Sequence, residues 1–258
     1  MNNIYEILNY YKQFSQVQAI ALAGSTYAST SDNTSDIDVY VFLTDLIPLE
    51  QRNKFIKSIS SNYEVGCEYF GSGDEYFVDS INQQIDCALW NIKWFEDIID
   101  NVWNKHYPFN GYTTSFLYTL DICKIVYDPK NWLQGLKDKI NTEYPKALKQ
   151  NIIKRNMMLM KDKPFASYYE QIEKAIKRDD INSINHRIAA FLASYFDVIF
   201  AINELLHPGE KRLVKYAIDN CKILPIDFEA NIIKLLKQPN NNTLFILDEM
   251  VKNLKNCI

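Results

Sequence analysis

Apolar positions along the chain follow two regimes. Up to about residue 90, short apolar runs alternate with polar turns. Ile4, Ile7, Leu8 and Tyr11 recur at helical spacing and predict a short helix from Asn3 to about Phe14. Val17 to Ala23 (VQAIALA) and Ile37 to Leu43 (IDVYVFL) are compact runs of strand-forming residues. Leu49 to Ile59 reads as helix, and Tyr63 to Phe70 and Gln84 to Trp90 read as two more strands around a glycine- and acid-rich loop, Gly71 to Ser80. From Ile92 onward the helical period takes over. Trp94 to Val102, Thr114 to Val126 and Trp132 to Ile140 precede longer helices, broken at Pro145, Pro164, Arg178-Asp179-Asp180, His207-Pro208-Gly209, Pro225 and Pro239. The expected fold is α+β: a small mixed β-sheet domain with flanking helices over residues 1–110, then an all-α helical bundle over 111–258, with the boundary between 108 and 145.

The run His186 to Leu206 is apolar around most of its circumference and predicts the central helix of the second domain. Its polar exceptions, Arg187, Ser194, Asp197 and Glu204, share one stripe, which either meets solvent or lines a cleft facing the acceptor, the cleft being the favoured reading. His186 and His207 are expected to be structural.

Seven glycines and eight prolines in 258 residues exclude collagen-like and low-complexity chains and disfavour a turn-rich barrel. No apolar run approaches the ~18 residues of a membrane span, and the N-terminus has no leader-like pattern, so no membrane partner is expected. Cys67, Cys87, Cys123, Cys221 and Cys257 are scattered without a CxxC pair. That spacing fits a reducing cytoplasm better than a disulfide framework or a zinc site. Charge is uneven: residues 1–110 carry 15 acidic and 6 basic side chains, and 111–258 carry 17 and 22. A metal-holding acidic lobe paired with a basic lobe facing a polyanion fits this split, as do ordinary solvated helix faces. It lacks the basic excess of a nucleic-acid binder, and none is expected as a partner.

The chemistry concentrates in residues 22–43. One strand ends in Gly24-Ser25, and Ser35-Asp36-Ile37-Asp38 opens the next. Alternation along a strand puts Asp36 and Asp38 on one face with Ile37 on the other. Two carboxylates so close repel unless a cation lies between them, and hard oxygen pairs of this kind suit Mg²⁺ that keeps positions for water and phosphate. Gly24 allows a backbone to approach a phosphate, and the Ser25 amide and hydroxyl can donate to it. Asp86 lies on the run Gln84 to Trp90 between apolar Ile85 and Cys87, where a carboxylate needs a partner. Glu64 and Glu68, on the preceding strand, are the alternatives to Asp86.

Gly-Ser, a short polar loop and Asp-x-Asp between two strands resemble the active-site signature of the DNA polymerase beta-like nucleotidyltransferase superfamily. The resemblance implies two Mg²⁺ ions on Asp36, Asp38 and Asp86, with Gly24 and Ser25 against the phosphates. Asp86 is then a metal ligand or a general base. A second stretch, Asn203-Glu204-Leu205-Leu206-His207-Pro208-Gly209-Glu210-Lys211-Arg212, is read as a helix end, a turn and the next helix start. It resembles a motif of an uncharacterised bacterial family of two-domain nucleotidyltransferase proteins, as do Gly111-Tyr112-Thr113-Thr114 and Tyr127-Asp128-Pro129. By that resemblance Lys211, with Arg212 beside it, binds the β- and γ-phosphates.

The expected function is therefore Mg²⁺-dependent transfer of a nucleoside monophosphate, with ATP the favoured NTP, to a hydroxyl of a small molecule. By similarity to the aminoglycoside and lincosamide nucleotidyltransferases, an antibiotic-like acceptor fits. Protein AMPylation and a nucleotide-binding or antitoxin-like interaction protein with little turnover are the alternatives. Tyr69, Phe70, Tyr76 and Tyr112 are candidates to stack a base or a ring-bearing acceptor.

Overall fold

The computed structural model describes residues 2–23, 36–69, 71–162, 165–237 and 242–258. Its contacts divide the chain into two compact units, Met1–Ile99 with Thr119–Thr142, and Asp100–Tyr118 with Glu143–Ile258.

The first unit contains α1 (Asn2–Lys12), β1 (Val17–Ala23), β2 (Ile37–Leu43), α2 (Leu49–Ile59), β3 (Asn62–Cys67), β4 (Gly73–Val78), β5 (Gln83–Asn91) and α3 (Ile92–Ile99). After α4 (Ser115–Ile122), whose residues are shared between the units, it adds β6 (Lys124–Tyr127) and α5 (Trp132–Ile140). Among the described residues six strands form one sheet in the order β3-β4-β5-β2-β1-β6. The β2·β5 pair is parallel and the others are antiparallel.

Alternation sorts the sheet into two unlike faces. Ile37, Val39, Val41 and Leu43 of β2 and Ile85, Cys87 and Leu89 of β5 point to one side. There they join Ile7, Leu8 and Tyr11 of α1 and Ile56 of α2 in a buried core. The other side carries Asp38, Tyr40 and Phe42 opposite Asp86, Ala88 and Trp90. Its far end is packed: Tyr40 stacks on Trp90 at 4.5 Å between ring centroids, and Phe42 meets Phe95 of α3 at 5.1 Å and Trp132 of α5 at 5.4 Å. Aromatic packing thus anchors the face at one end and leaves carboxylates at the other.

Two segments differ from the sequence reading. Gly71 to Ser80, read as a loop, contains β4, in which Asp74, Tyr76 and Val78 alternate inward. Gly73 belongs there because an added Cβ would lie 3.0 Å from the Cys87 carbonyl oxygen. Thr114 to Val126, read as one helix, ends its helix at Ile122, and Lys124 to Tyr127 pairs with β1. Ile125, Val126 and Tyr127 suit a strand, but the edge that accepts them lies about a hundred residues away.

The second unit contains α6 (Lys146–Met157), α7 (Tyr168–Lys177), α8 (Ile181–Ile202), α9 (Leu213–Asn220), α10 (Phe228–Lys237) and α11 (Thr243–Lys255), with π-helical turns at Asp100–Asn104 and Met158–Asp162. The Asp180 carboxylate starts α8 by accepting the Ser183 N–H at 3.0 Å. Ile188, Phe191, Tyr195, Val198 and Ile199 of α8 are buried among Met157, Ile172, Ile232, Leu247 and Leu254 from four other helices. Each such side chain stabilises the unit by roughly 1.5–3 kcal/mol relative to exposure. This is the central helix expected over His186 to Leu206, begun five residues earlier and ended at Ile202. Residues 205–209, read as the end of that helix and its turn, are non-helical. Among the described residues no helix is long and apolar enough to cross a membrane.

Candidate functional site

β2 and β5 run parallel, and their register sets Asp38 directly opposite Asp86. Neighbouring strands lie about 4.8 Å apart, so the two carboxylates share one stretch of the sheet face. Ala23, the last residue of β1, is the partner of Asp38 on its other side. The motif's first strand therefore delivers the chain to the carboxylates. Gly24 and Ser25 themselves lie outside the described residues, as does Phe70. Asp36 immediately precedes β2.

The three aspartates act on one phenol. Tyr40 is raised above its ordinary range first by burial and then by the charges of Asp38, Asp86, Cys123 and Asp36. A hydroxyl in that setting stays protonated and can donate to an oxygen of a bound anion.

The same row contains a carboxylate that the sequence reading missed. Glu75 of β4 is the partner of Asp86, and Glu64 of β3 is the partner of Glu75. Four acidic residues thus stand in register across β3, β4, β5 and β2. The missed signal is the alternation of Asp74, Tyr76 and Val78, obscured by the flanking Gly71-Ser72-Gly73. Of the earlier alternatives, Glu64 sits on the outer strand, and Glu68 falls beyond the end of β3. Asp38, Glu75 and Asp86 line a cavity of about 200 Å³ together with Tyr40, Tyr69 and Trp90. Tyr69 is 80% exposed and open to stacking, whereas Tyr76 is 2% exposed and too buried for it.

The donor set suits a hard divalent cation. Mg²⁺ binds through one or two protein carboxylates and completes its shell with water and substrate phosphate oxygens. Asp38 and Asp86 supply such a pair. Among the described residues no group of three or more His, Cys, Asp or Glu side chains is placed to hold a metal ion. The fit therefore rests on the pair and not on a preformed triad.

In the second unit the two helical-half motifs meet. Gly111 has φ +89, and a Cβ there would lie 2.8 Å from the Ala193 Cβ and 2.9 Å from its carbonyl carbon, so the chain crosses α8 at close range. Next to it, Thr113 donates its N–H (3.0 Å) and hydroxyl (2.6 Å) to the Asp197 carboxylate, which also accepts from Asn156 at 2.9 Å. Burial pushes the Asp197 carboxyl up to about 6 against these three hydrogen bonds. Thr114 accepts the His207 N–H at 2.8 Å, and His207 Nδ1 accepts the Gly209 N–H at 3.2 Å. The imidazole packs on Tyr112 and Phe200 and is lowered to about 4 by burial.

The expected cleft wall on α8 is thereby corrected. Ser194 and Asp197 are buried, Asp197 is committed to Thr113 and Asn156, and Glu204 pairs with Lys149 at 2.9 Å. His207 is buried as a structural histidine would be, and His186 is exposed. Lys211 and Arg212 are both exposed, with Arg212 in a left-handed conformation (φ +57) just before α9. Tyr127 ends β6, and the Asp128 carboxylate accepts the N–H groups of Trp132 (2.8 Å) and Gln134 (2.9 Å) in the first turn of α5.

Residues 111–213 match a domain of unknown function (DUF4037). The matched stretch begins at Gly111 and closes just past Arg212, so it spans the two segments joined through Thr113, Thr114, Asp197 and His207. No curated protein matches the chain. Among solved structures, it is similar to the crystal structure of a nucleotidyltransferase-like protein from Exiguobacterium sibiricum, at 10% identity and a TM-score of 0.49, over 98% of this chain and 72% of that one.

Proposed function

We propose that this protein is a nucleotidyltransferase that moves a nucleoside monophosphate from an NTP, with ATP the favoured donor, to a hydroxyl of a small molecule. The observation that carries the reading is the pairing of Asp38 with Asp86 on adjacent parallel strands, in a chain whose sequence places Gly24-Ser25 and then Asp36-x-Asp38 ahead of Asp86. Asp38 and Asp86, with Asp36 beside them, are the residues that would hold Mg²⁺. When bound, Mg²⁺ neutralises the triphosphate and lowers the pKa of the attacking hydroxyl.

The chain's own groups do the remainder. Gly24 and Ser25 offer backbone and hydroxyl donors to the phosphates, and Lys211 and Arg212 offer cations to the β- and γ-phosphates. Tyr40 keeps its proton and donates a hydrogen bond. Asp86, where it is not a ligand, accepts the proton of the acceptor hydroxyl as that oxygen bonds to the α-phosphorus and pyrophosphate leaves. Asp38, Glu75 and Asp86 bring negative charge to the cavity, and Tyr69 and Trp90 give it aromatic walls, a combination that favours an acceptor carrying positive charge and apolar surface. Five free cysteines, three of them buried, fit a reducing cytoplasm.

The test is ATP binding by calorimetry with and without Mg²⁺, followed by pyrophosphate release over a panel of hydroxyl-bearing small molecules and proteins. Mg²⁺-dependent binding and acceptor-dependent release support the reading. Release only with protein acceptors favours AMPylation, binding without release favours an interaction protein, and metal-independent binding sinks the mechanism.

A further inference from the structure

Directly behind the carboxylate row, on the core face of the sheet, lies a buried ion pair that the proposed reaction does not use. Arg52 of α2 is 5% exposed and Asp74 of β4 is 0% exposed. The Arg52 guanidinium donates to Asp74 Oδ1 and, through Nε, to the Ile47 carbonyl at 3.1 Å. The same Oδ1 accepts the Gly66 N–H at 2.8 Å, where β3 is bulged and Gly66 has φ +81. Oδ2 accepts the Tyr11 hydroxyl of α1 at 3.5 Å, and the Cys87 thiol of β5 donates to that hydroxyl oxygen at 3.3 Å. One carboxylate therefore gathers α1, α2 and β3 around a single position of β4, and reaches β5 through the Tyr11 hydroxyl.

That position is adjacent to the site. Asp74 is the partner of Cys87, and the next pair along the strands is Glu75 with Asp86. Strand alternation then forces a choice: with Asp74 held inward, Glu75 must face outward beside Asp86. A slip of one residue would turn Asp74 to the site and bury Glu75. The chain entering β4, Gly71-Ser72, has little side-chain bulk to resist such a slip, and Gly73, where an added Cβ would press on the Cys87 carbonyl, opposes it only at the start of the strand. Apolar burial at Tyr76 and Val78 favours the same facing, but it does not bind β4 to a particular point on α2. Ion pairs of this kind contribute little net stability over an apolar replacement, and register specification is their best-attested use.

We propose that the Arg52–Asp74 pair is a positioning device: it locks the facing and register of β4 and thereby sets the Glu75 carboxylate beside Asp86 in the candidate site. The functional half of this inference rests on the nucleotidyl-transfer reading; the structural half does not. The full-length wild type is compared with Asp74→Asn, Arg52→Lys and the apolar double variant Arg52→Met/Asp74→Leu. Two measurements are made on each, amide hydrogen exchange along the strands and Mg²⁺-dependent ATP affinity.

In the variants, exchange across β4 rises at least about tenfold while β1 and β2 stay protected, and ATP affinity changes by a similar factor. Glu75→Gln changes the affinity in the wild-type background and not in the double variant. Wild-type exchange in β4 of the double variant overturns the proposal, as does raised exchange with unchanged affinity. Should the double variant not fold, Arg52→Lys, which keeps the buried charge and loses the two-point geometry, decides by the same two outcomes. If the wild type does not bind ATP with Mg²⁺, the nucleotidyl-transfer reading falls, and the exchange data alone decide the lock.

Discussion

Asp38 and Asp86 are cross-strand partners in the parallel β2·β5 pair, and Glu75 extends their row to β4. Like charges facing each other across a sheet are destabilising. Their placement at the open end of a face whose other end is filled by Tyr40, Phe42 and Trp90 is what sets this region apart from a solvated strand.

Asp38→Asn, and separately Asp86→Asn, should abolish the Mg²⁺-dependent part of ATP binding. The folded state should be unchanged or more stable by roughly 0.2–1 kcal/mol, because a cross-strand repulsion is relieved. Calorimetric titration and thermal unfolding of the same samples check both halves. Wild-type ATP affinity in the Asp38/Asp86 double variant would remove the site.

Lys211→Ala and Arg212→Ala should each weaken ATP binding by about tenfold, equivalent to about 1.4 kcal/mol. AMP binding should be less affected than ATP binding if the contacts are to the β- and γ-phosphates. Equal losses for both nucleotides would reassign these residues.

Gly111→Ala should destabilise the second unit by about 1–3 kcal/mol. Its φ of +89 disfavours a side chain, and the new methyl would press on the backbone of Ala193, which cannot yield without moving α8. Urea unfolding followed through the second unit measures this. Gly209→Ala is the informative control: φ is +98, but nothing lies within 4 Å of the added Cβ, so its cost should be smaller.

Asp197 and His207 should give opposite pH dependences to stability. Asp197 is raised to about 6 from 3.8, so the folded state holds that proton more tightly, and its contribution is present below about 4 and lost as pH rises through 6. His207 is lowered to about 4 from 6.5, so its contribution is present above 6.5 and lost as pH falls through 4. Each amounts to roughly 3 kcal/mol, and over about pH 4 to 6 they largely offset. Relative to wild type, Asp197→Asn should make stability climb with pH across this window, and His207→Phe should make it decline. Denaturant unfolding at about pH 4.5 and about pH 6.5 decides, and slopes of the same sign in both variants would contradict the assignment.

Local pattern was enough to place β1 and β2 at their observed ends, to put Asp86 on β5, and to read α8 as a central buried helix. Each signal lies within one element: a run of strand formers, an alternation, an apolar circumference. Three features needed the tertiary structure. β6 became a strand because β1 offered an edge, a pairing across about a hundred residues that no local period encodes. Glu75 joined the row because Asp74, which follows Gly71-Ser72-Gly73, is drawn inward by Arg52, a partner on a different element. Asp197 left the expected cleft stripe because Thr113 and Asn156, remote in sequence, cover it. In each case the deciding partner is non-local: composition and periodicity report which face of an element is apolar, whereas the contact that a polar side chain makes depends on which distant element the fold brings to it.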